Sequence, residues 1–206
     1  MSEKAKKDFL FSKIKDALFR VFFINKLIIF EINIENPKKI PPSKIDLSFK
    51  ICKKNEIDLI LKYEYNYNNR GKKYSKNRLD KGDRCVLAIY KRKIIGYAWI
   101  MKNKMELSIY NLIPISKKRV YIYKGFVLKK FRGKRILNAI DNYIIKLLNK
   151  EGKKFIVTTV GKNNKHSIKA RERLGFKRIG KIIQIRFFGL KYDYISKKDL
   201  KYLQSL

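Results

Sequence analysis

Apolar and polar positions along the chain change period several times. Within residues 8–24, Phe11, Ile14, Leu18, Val21 and Phe22 recur at helical spacing, with Lys13, Lys15, Asp16 and Arg20 mainly on the other side. That pattern predicts an amphipathic helix. From Ile28 the period drops to two. Ile28, Phe30, Ile32 and Ile34 alternate with Glu31, Asn33 and Glu35, which predicts a strand with one buried face. Pro37, Pro41 and Pro42 then break the chain. They divide it into a helix–strand extension over 1–43 and a main domain over 44–206. The extension is expected to pack as an added layer, its strand extending the sheet.

In the main domain the order is regular. Residues 45–52 predict a strand, 55–65 a helix, and 66–80 a polar loop with at most a turn of helix. Two strands, 85–90 and 94–101, flank the basic turn Lys91-Arg92-Lys93. Strands over 105–110 and 120–128 follow. Residues 135–149 carry Ile136, Ile140, Tyr143, Ile144 and Leu147 on one helical face. A short apolar strand, 155–160, precedes a helix over 164–174 that stops at Gly175, a helix-ending residue. Residues 176–188 and 191–195 predict a closing hairpin, and 196–206 a terminal helix. Strands and helices mixed in this order predict an α/β (mixed α+β) sheet with helices on both faces.

Composition changes the picture at one point. The 206 residues hold 52 Lys+Arg against 17 Asp+Glu, a formal net charge of +35. Such a field attracts polyanions: nucleic acid, an acidic acyl carrier protein, or an anionic membrane surface. Coding bias toward Lys, Ile and Asn accounts for part of it. A hydrophobic share of 45% supports a real core. Two cysteines, Cys52 and Cys85, and one histidine, His166, make neither a disulfide framework nor a Cys/His metal site. No metal is expected. No apolar run reaches the length of a membrane span, so the protein is expected in the cytoplasm, with the basic helix over 8–24 as the element that could lie on a membrane.

The stretch from Phe126 to Ile136 carries the clearest chemistry. A strand ends, a loop with Arg132-Gly133-Lys134 follows, and a long helix begins. A helix start presents unpaired amides and partial positive charge, which suits a phosphate group. Gly133 permits close approach to the backbone, and Arg132, Lys134 and Arg135 add charge-assisted bonds. Some 30 residues on, Asn164 and Ser167 open a helix that ends Leu174-Gly175-Phe176.

These two stretches resemble the two cofactor motifs of the GNAT acyltransferase superfamily: the pyrophosphate loop, Arg/Gln-x-x-Gly-x-Gly/Ala, and the "N..A/S……LGF" ending. Ile94-Ile95-Gly96-Tyr97-Ala98-Trp99 resembles the hairpin upstream. The resemblance covers about residues 45–190. It implies direct transfer of an acyl group from acetyl-CoA, or another acyl-CoA, to a primary amine. It also implies a mixed, mostly antiparallel sheet. Phe126, Val127, Leu128, Arg132, Gly133, Lys134, Arg135, Ile136, Asn164 and Ser167 become the cofactor-binding set, with the Val127 or Leu128 amide holding the developing oxyanion. Where the loop pattern has Gly and Gly/Ala, this chain has Arg135 and Leu137. Where many relatives carry a Tyr as general acid, it has Arg171, which cannot donate a proton at neutral pH but can stabilise a thiolate. The usual Glu base is replaced by Tyr123. A water chain from Tyr123 to Glu106 is the expected proton path, with Tyr123 made more acidic by the surrounding positive charge. Trp99 and the ring of Phe126 read as core, and His166 as an ordinary helix-start residue. Two other readings stay open: an acyl carrier protein or aminoacyl-tRNA as partner, or a basic binding module on a degraded cofactor loop.

Overall fold

The structure is a computed structural model, and it describes residues 22–61, 69–108, 111–188 and 190–205. The element order is β1 (Phe22–Asn33), β2 (Ser48–Ile51), a short helix α1 (Asp58–Leu61), α2 (Asn69–Asp80), β3 (Arg84–Tyr90), β4 (Lys93–Lys102), β5 (Lys104–Ser108), β6 (Asn111–Pro114), β7 (Arg119–Val127), α3 (Ile136–Lys150), β8 (Phe155–Gly161), α4 (Lys165–Arg173), β9 (Lys177–Phe187), β10 (Leu190–Ile195) and α5 (Lys197–Gln204). Eight strands form one sheet in the order β10-β9-β1-β8-β7-β4-β3-β2, and β5 pairs with β6 apart from it. Every pair in the large sheet is antiparallel except β7 with β8. The mixed α/β reading therefore holds, with a mostly antiparallel sheet at its centre.

The first strand is not an added edge. β1 lies inside the sheet, paired with β8 along Leu27–Asn33 and with β9 along Phe22–Glu31. The reason is legible in hindsight. Ile28, Phe30 and Ile32 join the core on one face, whereas Leu27 and Ile29 join the core on the other. A strand apolar on both faces belongs in the interior. Glu31, a polar position in the alternation, is only 5% exposed. It accepts from Arg119 Nε at 2.7 Å and from the Tyr202 hydroxyl at 2.6 Å. Arg119 also donates to the carbonyls of Leu203 and Ser205, so this buried pair ties β1 and β7 to the end of α5. The predicted helix over 8–24 lies outside the described residues, except that 22–24 already belong to β1.

Two further expectations fail locally. The polar loop expected over 66–80 is largely helix α2. Over 75–80 its buried residues are Ser75 and Arg78, with Leu79 partly buried against the core, which is no apolar period. The helix expected over 55–65 is a 3-10 turn (Lys54–Glu56) followed by α1, and residues 62–68 lie outside the described set. A strand, β6, folds back on β5 beyond where one strand was expected.

Two cores sit on the two sheet faces. On one, α3 buries Ile136, Ile140, Ile144, Ile145 and Leu148 against β3, β4 and β7, and α4 contributes Ile168. On the other, Trp99, Leu87, Met105 and Tyr121 pack with Ile57, Ile60 and Leu203. Gly96 sits under α3. A Cβ there would meet Phe126 O at 2.9 Å and Ile136 and Ile140 side-chain carbons at 3.4 Å, so this contact requires glycine.

Candidate active site

The sheet opens at its one parallel pair. β7 and β8 stay in register from Arg119↔Phe155 to Ile122↔Thr158 and no further. On its other side β7 pairs Tyr123 with Trp99, then Phe126 with Tyr97. Lys124 and Gly125 therefore face the single residue Ala98, which is a β-bulge. Lys124 takes the left-handed conformation, φ 49°. The bulge bends β7 away from β8 and leaves a V-shaped cleft of about 640 Å³. One side of this cleft is lined by Leu137, Asn138 and Asp141 of α3 and by Asn164, Ser167 and Arg171 around α4. The other is lined by Glu106, Ser108, Tyr121, Tyr123, Thr159, Gln184 and Arg186.

On the α3 side the loop after β7 turns through Gly133 (φ 77°) into Arg135, which takes φ 59°, ψ 29° as the residue capping α3. An L-residue with a side chain is strained there and glycine is not. This is the backbone reason for a glycine in the loop pattern at this position. The Lys134 carbonyl is held by the Lys44 amide at 3.1 Å and by the Ser43 hydroxyl at 3.3 Å. No side chain caps α3 and no acidic residue lies in its first turn. The helix start thus presents amides and a dipole without a competing carboxylate, and it fits a phosphate group. Asn164 accepts from the Ser167 amide at 3.0 Å and so fixes the start of α4 on the cleft wall.

Individual site residues fall out differently from expectation. The Leu128 amide donates to Ile95 O at 2.9 Å and is used within the sheet. Amides alternate in direction along a strand, so that of Val127 faces away from β4, toward the opened side. Arg132 Nε donates to the Val127 carbonyl at 3.3 Å, bringing its guanidinium to the same place. Ile136 is 2% exposed, so only its backbone can reach a ligand. Phe126 stacks on Tyr97 at 5.3 Å in the core of the opposite face and is not on the phosphate side. Leu137 projects into the cleft, its Cδ2 3.3 Å from where a Cβ on Gly125 would stand.

The three residues expected to do the chemistry each have a partner. The Tyr123 hydroxyl donates to Asp83 Oδ2 at 2.5 Å. Burial raises the Tyr123 pKa above the ordinary phenol value, with Arg78 opposing and Asp83 reinforcing the shift. The expected acidification does not occur, because desolvation of a phenolate outweighs the nearby cation. Glu106 accepts from Arg78 NH2 at 2.6 Å, and the Arg78 guanidinium lies 4.4 Å from the Tyr123 ring centre. Arg171 NH1 donates to Asp141 Oδ2 at 2.5 Å. Asp141 is 2% exposed, and burial raises its pKa while Arg171 pulls it back. Tyr121, stacked on Tyr123 at 5.4 Å, shares a 2.8 Å hydrogen bond with Thr159 across the V.

Asp83, Arg78 and Asp141 are the site residues that sequence reasoning missed. Asp141 had a signal: a carboxylate among the core-facing isoleucines of a helix, where none belongs unless paired. Asp83 and Arg78 had none. Cys52 and Cys85 are both buried and neither is in a disulfide, and burial pushes the Cys52 thiol up to about 11. Among the described residues no group of His, Cys, Asp and Glu could hold a metal ion, and no helix is long and apolar enough to cross a membrane.

A mostly antiparallel sheet that splits at one parallel pair, with a bulged strand and an uncapped helix start at the opening, defines an acyl-CoA N-acyltransferase fold. Residues 53–176 match the family model described as "Acetyltransferase (GNAT) family". The chain belongs to the GNAT acetyltransferase family. No curated protein matches it. It is similar in structure to a functionally unknown conserved protein from Staphylococcus epidermidis (TM-score 0.58, 14% identity, 90% of this chain and 67% of that one). It is also similar to a GNAT-family acetyltransferase from Colwellia psychrerythraea (TM-score 0.58, 13% identity, 81% and 57%). A third likeness is to AAC(6')-Iy in complex with the bisubstrate analogue CoA-S-monomethyl-acetylneamine (TM-score 0.53, 14% identity, 65% and 92%). At these identities the likeness is one of fold, and the chain spans only part of the length of the first two.

Proposed function

We propose that the protein transfers an acyl group, most simply acetyl, from acyl-CoA to a primary amine within the cleft between β7 and β8. The observation that carries this reading is the parting of the two strands after Ile122 and Thr158, beside the bulge at Lys124 and Gly125. The gap links the uncapped start of α3 to a polar face across the sheet. The likeness in fold to AAC(6')-Iy, whose structure holds the bisubstrate analogue CoA-S-monomethyl-acetylneamine, supports the reading of an acyl-CoA cleft.

The acyl-CoA supplies a thioester carbonyl that an amine can attack directly. In this reading the amides at the start of α3, with Arg132, Lys134 and Arg135, hold its phosphates. Asn164 and Ser167 line its path along α4. The Val127 amide faces the carbonyl oxygen and stabilises charge developing there. Tyr123, its hydroxyl intact, accepts a proton from the attacking amine while passing its own to Asp83, so Asp83 rather than Glu106 is the final proton acceptor. Glu106 serves with Arg78 to frame the Tyr123 ring. Arg171 places positive charge on the cleft wall for the departing thiolate, tempered by Asp141. The C–N bond forms, the C–S bond breaks, and the thiolate is protonated from solvent. Two buried cysteines outside any disulfide fit a reducing compartment, and we place the protein in the cytoplasm.

Calorimetric titration with acetyl-CoA at low and raised salt tests the binding half. Thiol release with a panel of primary amines and polyamines tests the transfer. We expect micromolar binding that survives salt and is lost in Gly133→Asp. Heat that vanishes with salt would sink the reading.

A further inference from the structure

One face of the sheet corner formed by β10, β9 and β1 is left uncovered by the described residues. The registers place Leu190, Phe187 and Phe22 in one row across the three strands, and Tyr192, Ile185 and Ile24 in the next. A third row holds Tyr194, Ile183 and Lys26. Residues directly opposite one another in antiparallel strands share a face, so all nine side chains project from the same side. They are exposed to an unusual degree: Leu190 71%, Tyr192 59%, Phe22 52%, Phe187 and Ile24 47%. Phe188, 70% exposed, packs edge-on against Phe187 at the hairpin tip. Helix α4 covers this face only as far as Ile28, which shares the core with Ile168.

Soluble surfaces rarely keep so many large apolar groups contiguous without a partner. The charges at its edge say which kind. The cations on this face of the three strands are Lys26, Lys181 and Arg178, all exposed, Arg178 being paired with Glu172 of α4, and no carboxylate of the three strands stands on it. Asp193 and Glu31 point to the opposite face, where each is paired with an arginine. Aromatic and aliphatic side chains rimmed by lysine, on a chain of net charge +35, match an anionic lipid surface in both polarity and charge.

We propose that the β1–β9–β10 face docks on anionic membrane, with Phe187, Phe188, Leu190 and Tyr192 entering the interface and lysines meeting the headgroups. The proposal is independent of the acyl transfer reading.

Flotation with phosphatidylglycerol-containing vesicles and with pure phosphatidylcholine vesicles is the test. Retention is expected on the former, weakened but not abolished by raised salt because apolar insertion is not screened. Leu190→Ser/Tyr192→Ser, at exposed positions that leave the fold and its unfolding midpoint intact, is expected to lower the bound fraction at least about tenfold. Absence of retention on anionic vesicles overturns the proposal. So does retention that salt removes entirely and the double variant does not alter, which would mark a diffuse charge effect. A concentration-dependent dimer of the wild type that the double variant loses, without vesicle binding, would assign the face to a second copy.

Discussion

Tyr123 and Asp83 meet at 2.5 Å at the inner end of the cleft, hydroxyl to carboxylate, with Asp83 only 8% exposed. Tyr123 lines the cleft and Asp83 does not. Desolvation raises the Asp83 pKa above the ordinary carboxylate value, opposed by the Tyr123 hydrogen bond and Arg78 and aided by Glu106. A carboxylate so placed is a better proton acceptor than one in water.

Asp83→Asn keeps an oxygen for the tyrosine hydroxyl but cannot take a proton. Its kcat should fall by 10²-fold or so, the usual scale for losing a general base, with little change in KM. The acidic limb of the kcat/KM profile, where Asp83 protonates, should disappear. Steady-state kinetics across pH check this, and a wild-type profile in Asp83→Asn would remove the carboxylate from the proton path.

The pair Arg171–Asp141 joins α4 to α3 through nearly dry surroundings, with 13% and 3% side-chain exposure. Arg171→Ala leaves Asp141 buried without its partner and should cost about 3 kcal/mol. The double variant Arg171→Met/Asp141→Leu should recover most of that loss in a denaturant unfolding cycle. Full additivity of the two single variants would mean the ion pair is not coupled.

Arg135 holds a backbone conformation that glycine adopts freely. Arg135→Gly should stabilise the fold by about 0.5–1 kcal/mol, raising Tm by a few degrees. Leu137→Ala clears the space facing Gly125 and should tighten acetyl-CoA binding several-fold. Calorimetry on both variants, singly and combined, separates strain from obstruction.

Cys52 has its thiol pKa pushed up to about 11 by burial, with Glu56 adding to the shift. A group whose folded pKa is raised contributes stability that is complete below its unfolded value and is lost as pH rises through the folded one. Stability should therefore fall between about pH 9 and 11 by up to roughly 2–3 kcal/mol on this account. Cys52→Val should flatten that part of the curve, as read by chemical unfolding at stepped pH. An unchanged slope would assign the loss to other groups.

Much of the architecture was legible in the chain. Strands over 85–101, the helix from Ile136 and the strand–helix pair ending at Gly175 show clean periods bounded by Gly or polar turns. A helix start after Arg132-Gly133-Lys134 and a cap from Asn164 to Ser167 are local chemistry, set within a few residues, and both occur. Helix α2 was hidden because the buried side chains of its stretch 75–80 are a serine and an arginine.

What the sequence determined alone was local: which stretches bend, which start helices, and where a phosphate would be welcome. Tertiary structure decided the neighbours. β1 enters the middle of the sheet because both of its faces are apolar, and between β8 and β9 its stretch from Ile29 to Ile32 is buried on both. Tyr123 became a shielded hydrogen-bond donor instead of an acidified base because Asp83, 40 residues away, accepts its hydroxyl while Trp99 and Arg78 pack on its ring. Desolvation and pairing depend on groups distant in sequence, so no local pattern along the chain could have announced them.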